Sequence, residues 1–414
     1  MIDLDTTSFF VVVAAAALAS LTVLAVGRWA PIPVVVVELI LGIIIGPQVL
    51  DLATPDDFIS FFADLGLGML FFFAGFEIDF NRIRGTPLRL AGVAWGLSLI
   101  LAYGIGGVLA LTGVVISLVY TGSALATTAI GTLLPILRDA GELRTRFGTY
   151  LLAAGAVGEF GPILLITLVL SSAGSVHNAA ILIAFVVLAV GTAVLAVRSV
   201  ETTWGAMSRT IESSGQAAVR VAVLLVFGMV ALAGDLGLDV LLGGFVAGII
   251  TRLALKGREV EILESKLNAL GYGFFIPFFF IVSGMRFDLD SLVESPGAMA
   301  KMLLFFVLFL VVRGVPALLL YGKVLDARDR LALAFFSSTQ LPLVVAITTI
   351  AVEVGEMRSS TAAALVGAAI LSTLVFPLVG LHLRRGRAEH DLEEFPPGDP
   401  ALVAPAGRPL PAPA

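Results

Sequence analysis

Cysteine is absent from this 414-residue chain, which excludes disulfides, thiol catalysis and thiolate metal sites. Histidine is nearly absent as well. His177, His382 and His390 lie in a loop or near the C-terminus, where a metal site does not readily assemble, and they read as solvated side chains. Charged residues make up only 14% of the chain, and a formal net charge of -6 spread over many loops leaves no nucleic-acid footprint. No Walker loop, dinucleotide fingerprint, nucleophile elbow or zinc-ligand spacing occurs. ATP-driven pumping and hydrolysis therefore have no machinery, the chain does not read as an enzyme, and no cofactor is expected. Any work it does must draw on an ion gradient. The opening MIDLDTTSFF carries acids and no basic residue before the first apolar run. Without the positive region of a cleavable signal peptide, the first span is expected to stay in the mature protein.

What remains is overwhelmingly apolar. Hydrophobic residues are 58% of the chain and the mean hydropathy is +1.04, far beyond soluble domains. The expectation is an all-α polytopic membrane protein. Stretches long enough for a bilayer's hydrocarbon core, about 20 residues, run approximately over 7–27, 33–50, 58–76, 90–112, 114–136, 147–171, 178–198, 217–234, 237–252, 267–285, 302–322, 330–352 and 360–382, thirteen in all. Of the 25 Lys and Arg, 20 fall in alternate loops beginning with Arg28 and in the segment after the last span. The opposite set holds three, Arg286, Lys301 and Arg358. The positive-inside rule then puts the N-terminus outside and the C-terminus in the cytoplasm. Residues 384–414 turn acidic and then Pro/Ala-rich, a composition that reads as a disordered cytoplasmic tail after a membrane domain over 1–383.

Two spans look interrupted. The fifth, SALATTAIGTLLPIL, sets Ser123, Thr127, Thr128 and Gly131 ahead of Pro135. The twelfth, SSTQLPLVVAITT, sets Ser337, Ser338, Thr339 and Gln340 ahead of Pro342. Unwound backbone at membrane depth is tolerated only inside protein or beside a water-filled cavity. The offset of seven spans is odd, so the two cross in opposite directions, as expected of an inverted-topology repeat with discontinuous helices. LGIIIG (41–46) in the second span and GGFVAG (243–248) in the ninth keep that offset, as do GFEIDF (75–80) and GMRFDL (284–289). Repeats over about 7–171 and 217–382, joined by a linker helix at 178–198, follow. Close packing of glycine-rich helices is the alternative source of each likeness.

Ionisable residues within such spans are the exceptions that carry function. Glu159, in GAVGEFGPILL, lies near the middle of the sixth span, and Pro162 cannot donate to the Gly158 carbonyl. The carboxylate, that carbonyl, and Thr127 and Thr128 form an oxygen-rich set suited to a small hard cation. Such a carboxylate can hold a proton or a monovalent cation in turn. The alternatives are a structural hydrogen bond or an ion pair with Arg313. Arg313, in FLVVRGVPALLL with Pro316 behind it, stays charged and reads as counter-charge rather than proton carrier, or as a structural element. Ser123, Ser338, Thr339 and Gln340 are candidates to line the cavity. Glu38 is a secondary candidate that reads first as structural or capping. Glu77, Asp79, Arg286 and Asp288 read as membrane boundaries, and Asp64, Asp235 and Asp239 as solvated extracellular ends.

Taken together, PVVVVELILGIIIGP, LFFFAGFEIDF, SALATTAIGTLLPILRDAGEL and FFIVSGMRFDL resemble the successive hallmark segments of the monovalent cation:proton antiporter superfamily, in its Kef-type and sodium/proton exchanger branch. The resemblance spans roughly residues 5–383. It implies a thirteen-helix fold with two discontinuous crossed helices in a core domain, a dimerisation domain, and elevator-like alternating access. It also implies exchange of Na+ or K+ for H+ by a homodimer in the plasma membrane. Where such families carry an aspartate preceded by Asp, Asn or Gln, this chain has Gly158 and Glu159, and a single carboxylate implies electroneutral exchange. Kef-type members often append a nucleotide-binding domain; none is visible here, so nucleotide gating is not expected. A cation channel or uniporter, and a non-transporting scaffold or sensor, are the competing readings.

Overall fold

The computed structural model describes residues 5–26, 32–77, 83–169, 216–236, 240–254, 258–293 and 296–387, with 187–188 and 191–192. Helix is the only regular structure among them. Even VVVVELILGIII, rich in β-branched residues, is helical as α2 (Val34–Ile45). In hydrocarbon each backbone N–H and C=O must be satisfied within its own segment, and that requirement outweighs propensity.

The order is α1 (Thr6–Val26), α2, α3 (Asp57–Phe76), α4 (Thr86–Leu111), α5 (Leu118–Leu125), α6 (Ile130–Asp139) and α7 (Arg146–Val169). Then come α8 (Ala217–Asp235), α9 (Val240–Ala254), α10 (Arg258–Leu270), α11 (Ile276–Met285), α12 (Leu289–Val293), α13 (Pro296–Phe309), α14 (Val315–Leu320), α15 (Ala327–Ser337), α16 (Pro342–Glu353) and α17 (Ser359–Arg384). A π turn at Gly271–Phe275 joins α10 to α11, and another at Leu310–Gly314 joins α13 to α14. By length and composition, eight helices among the described residues can cross a membrane, and three shorter apolar ones accompany them. Each expected span except the seventh falls on helix; 178–198 lies almost entirely outside the described residues. The second is shorter than expected, ending at Ile45 before a turn.

The last helix also differs from expectation. It continues through Arg384, and residues 385–387 are placed beyond it, so the ordered part does not stop at 383. Buried ion pairs at Arg384, described below, hold that end in place. Residues 388–414 lie outside the described residues.

The chain divides into two compact units. In one (Met1–Leu21, Glu38–Asp79 and Ile163–Arg286), α3 packs on α9 and α11, and α2 packs on α11. A Cβ at Gly75 would run into the Phe245 carbonyl, and one at Gly42 into that of Ile281, so glycine sets these helix separations. Phe9, Phe58, Phe62 and Phe278 pack with ring centroids 5.0–5.6 Å apart. In the other (Thr22–Val37, Phe80–Pro162 and Phe287–Ala414), α4 packs on α5, α13 and α15 on α17, and α14 on α15. Its core gathers Leu133, Leu137, Phe147, Tyr150, Tyr321, Leu333 and Phe336. The two helix breaks, Glu159 and Arg313, described below, belong to this second unit.

Candidate functional site

The fifth and twelfth spans are both broken, and the breaks touch. The chain leaves helix at Ala126–Ala129 between α5 and α6, and at Ser338–Leu341 between α15 and α16. Pro342 stands in the first turn of α16, where a missing N–H costs nothing. Pro135, in contrast, lies within α6 rather than at the break.

Each break exposes backbone groups that must find partners. The Ala129 N–H donates to the Thr339 carbonyl at 2.8 Å, linking the two unwound segments directly. The Thr128 hydroxyl donates to the Ser337 carbonyl at 2.5 Å. Gln340 Nε2 donates to the Leu125 carbonyl at 3.3 Å, and the Thr127 hydroxyl, bonded to the Ala124 carbonyl at 3.0 Å, also meets Gln340 Oε1. From α4, Trp95 Nε1 donates to the Ala126 carbonyl at 3.1 Å. From α17, the hydroxyls of Ser372 and Thr373 donate to the Gln340 carbonyl at 3.1 and 2.9 Å. These bonds hold the two interrupted helices as a crossed pair.

Pro162 sits inside α7, as its sequence position requires, and the carbonyl it leaves free, that of Gly158, accepts from the Thr128 N–H at 3.0 Å. The next residue, Glu159, is 1% exposed. Its carboxylate accepts hydrogen bonds from the main-chain N–H groups of Gly131 and Ile130, the first turn of α6, while Oε2 has no hydrogen-bond partner. A carboxylate at a helix N-terminus is favoured by the orphan amides and the helix dipole. Glu159 thus commits one oxygen to the scaffold and leaves the other unpartnered.

Arg313, also buried, projects from the π turn ahead of Pro316. Its Nε donates to Thr128 Oγ1 at 2.9 Å, Nη1 to Ser98 Oγ at 3.1 Å, and Nη2 to the Ala154 carbonyl at 3.3 Å. Among the described residues no ion pair joins it to Glu159, so the alternative of an Arg313–Glu159 lock is not realised. A Cβ at Gly158 would collide with Arg313 Nη2 and with Thr128 Oγ1, so the guanidinium fills the space a side chain there would take.

The structure therefore brings Thr127, Thr128, Gly158, Glu159, Arg313 and Gln340 together. Ser338 and Thr339 are buried, but their hydroxyls turn back to the carbonyls of Ala334 and Phe335 at 2.7 and 3.4 Å, and Ser123 pairs with Tyr103 at 3.0 Å. Glu38 belongs to α2 and is 3% exposed with Oε2 unpartnered, so it does not reach interfacial water as its place in the span suggests. Arg286 caps α11 and donates to Ser60 at 2.6 Å, while Asp288 accepts from the Ser291 hydroxyl. Asp79 and Asp239 lie outside the described residues. Ser98, Trp95, Ser372 and Thr373 escape sequence reading; in WGLSLILAYG the signal for the first two is only that they interrupt an apolar run.

A family model described as the transmembrane sodium/hydrogen exchanger matches residues 13–381. The chain belongs to the sodium/hydrogen exchanger family. Among its relatives, YjbQ of Bacillus subtilis is 26% identical over 84% of this chain, and the chain spans only 58% of YjbQ's length. The protein named Na+/H+-K+ antiporter GerN, from Bacillus cereus, is 27% identical over 63% of this chain and 67% of its own. The sodium proton antiporter MjNhaP1 of Methanocaldococcus jannaschii superimposes with a TM-score of 0.65 at 16% identity, covering 92% of this chain and 97% of that one, a likeness of fold.

The chain carries a second polar cluster where α17 ends. Arg384, 2% exposed, donates to Glu142 at 2.9–3.2 Å and to Asp329 Oδ1 at 2.8 Å, with its guanidinium 4.4 Å from the centroid of the Phe147 ring. Arg387 bridges Asp329 and Asp326 at 2.7 and 2.6 Å. Partial burial alone would raise the Asp326 carboxyl, but the Asp329 N–H and the Arg387 guanidinium outweigh it and hold it below its ordinary value. The cluster ties the turn after α6 and the start of α15 to one side chain.

Proposed function

We propose that this exchanger is a secondary active antiporter that moves Na+ or K+ against H+ by alternating access, with proton and cation competing for Glu159. The observation that carries this reading is a buried carboxylate with one oxygen unpartnered at the meeting point of two broken helices. Thr127, Thr128 and Gly158 contribute neighbouring oxygens, with Gln340 beside them, and Arg313 supplies counter-charge. The name of GerN supports both cations. Glycine at 158 leaves a single acid at this position, which favours one proton for one monovalent cation. The inverted repeat gains support from the packing of α2 on α11 and α3 on α9, because exchanging the second span with the ninth and the third with the tenth turns one pairing into the other. The distribution of Lys and Arg favours an N-terminus outside and a C-terminus in the cytoplasm, and the membrane we assign is the plasma membrane. A homodimer completes the reading.

The test is purified protein in liposomes with an imposed pH gradient, to which Na+, K+ or Li+ is added. Collapse of the gradient on adding at least one of these ions is expected. No response to any of them would reject the reading, and cation flux indifferent to the pH gradient would replace it with uniport.

A further inference from the structure

The Arg313 guanidinium lies against the backbone of Gly158, one residue from the Glu159 carboxylate, and does not pair with it. A buried arginine ordinarily finds a carboxylate partner in a charge-assisted bidentate pair. Here neutral oxygens take the guanidinium's hydrogen bonds instead, from the Ser98 hydroxyl on α4, the Thr128 hydroxyl in the first break and the Ala154 carbonyl on α7. Ser98 is 0% exposed and Thr128 is 1% exposed, so water does not substitute easily for either. The Thr128 hydroxyl is itself fixed by donating to the Ser337 carbonyl, and its N–H is fixed on the Gly158 carbonyl. Among the described residues, the titratable group on the guanidinium's side is Tyr321, at the end of α14, and Tyr150 of α7 packs edge-on against Tyr321.

We infer that Ser98, together with Thr128, is a positioning residue for ion exchange, holding the Arg313 guanidinium in a neutral cradle so that the Glu159 carboxylate stays open to proton or cation. The inference rests on the reading of Glu159 as the ion carrier. Removing a cradle hydroxyl leaves a buried charged donor without its acceptor, a state costly enough that the guanidinium seeks a new one, and the unpartnered Oε2 of Glu159, the residue after Gly158, offers it. A guanidinium on Glu159 then competes with the transported cation. It also stabilises the ionised carboxylate against protonation, so the acid limb of the activity profile moves to lower pH.

The experiment is exchange by the full-length protein in liposomes, with apparent KM for the cation and the pH profile measured for wild type, Ser98→Ala, Ser98→Thr and Thr128→Val. Expected are a KM raised about tenfold in Ser98→Ala, the scale of one hydrogen bond to a charged group, an acid limb shifted to lower pH, and recovery of both in Ser98→Thr. Thr128→Val, which keeps the shape and loses the hydroxyl, should behave as Ser98→Ala does and serves if that variant does not fold. A lowered maximal rate with KM and pH profile unchanged in either variant would mark a merely structural role and overturn the inference. Loss of exchange in the wild type itself would instead overturn the reading on which it rests.

Discussion

Gly158 shows how much a missing side chain can contribute. Arg313 Nη2, Thr128 Oγ1 and Thr128 Cβ all lie within 3 Å of where its Cβ would be. Gly158→Ala must displace the guanidinium or the hydroxyl that holds it, an overpacking cost of about 1–3 kcal/mol. We expect a lowered thermal midpoint in detergent together with impaired exchange. Gly92→Ala in α4, where nothing lies within 4 Å, should leave the midpoint unchanged or raise it, since alanine is the better helix former. At this scale the sequence reveals Glu159 and Arg313 readily, because an ionisable group inside an apolar span is conspicuous. It does not reveal Ser98, a common residue in membrane helices whose partner lies 215 positions away. Arg384 is hidden for a different reason: a basic residue at a membrane end satisfies the positive-inside pattern, and its burial between two acids leaves no trace in composition.

Among the elements, the two broken helices show what local chemistry does and does not specify. Hydroxyl-rich SALATT and SSTQ mark both breaks correctly in kind, yet proline marks the break only at Pro342; Pro135 lies within α6 and Pro162 within α7. The partners of the freed backbone groups come from α4, α7 and α17, which no local pattern discloses. Gln340 is the clearest case. Its amide satisfies the Leu125 carbonyl at the end of α5, so Gln340→Leu orphans a buried acceptor and costs about 1–3 kcal/mol. The measurement is thermal unfolding in detergent alongside Thr349→Val, whose hydroxyl bonds only within its own helix turn and whose loss should cost less. Equal destabilisation by the two would argue against Gln340 as the clasp of the crossed pair.

For the whole molecule, apolar periods and the charge asymmetry made the membrane class and most spans legible, while the end of α17 and its ion-pair cluster were not. The cluster has a pH dependence whose sign follows from Asp326. Its carboxyl titrates below the ordinary range because the Asp329 N–H and Arg387 outweigh the effect of partial burial. Its contribution is therefore fully present above the unfolded-state value of about 3.9 and is lost as pH falls through the lowered folded-state value. Asp326→Asn should lower the thermal midpoint at pH 7, and the gap from wild type should close as the pH is taken below 4. A gap that persists at low pH would show that the Arg387 pairing is not its source.

The central claim is that one buried carboxylate carries both ions. Glu159→Gln preserves shape and removes the charge, and purified protein of wild type and variant can be compared in the same liposomes for cation-driven collapse of a pH gradient. The account predicts normal folding and no exchange for Glu159→Gln. Exchange equal to wild type would contradict it.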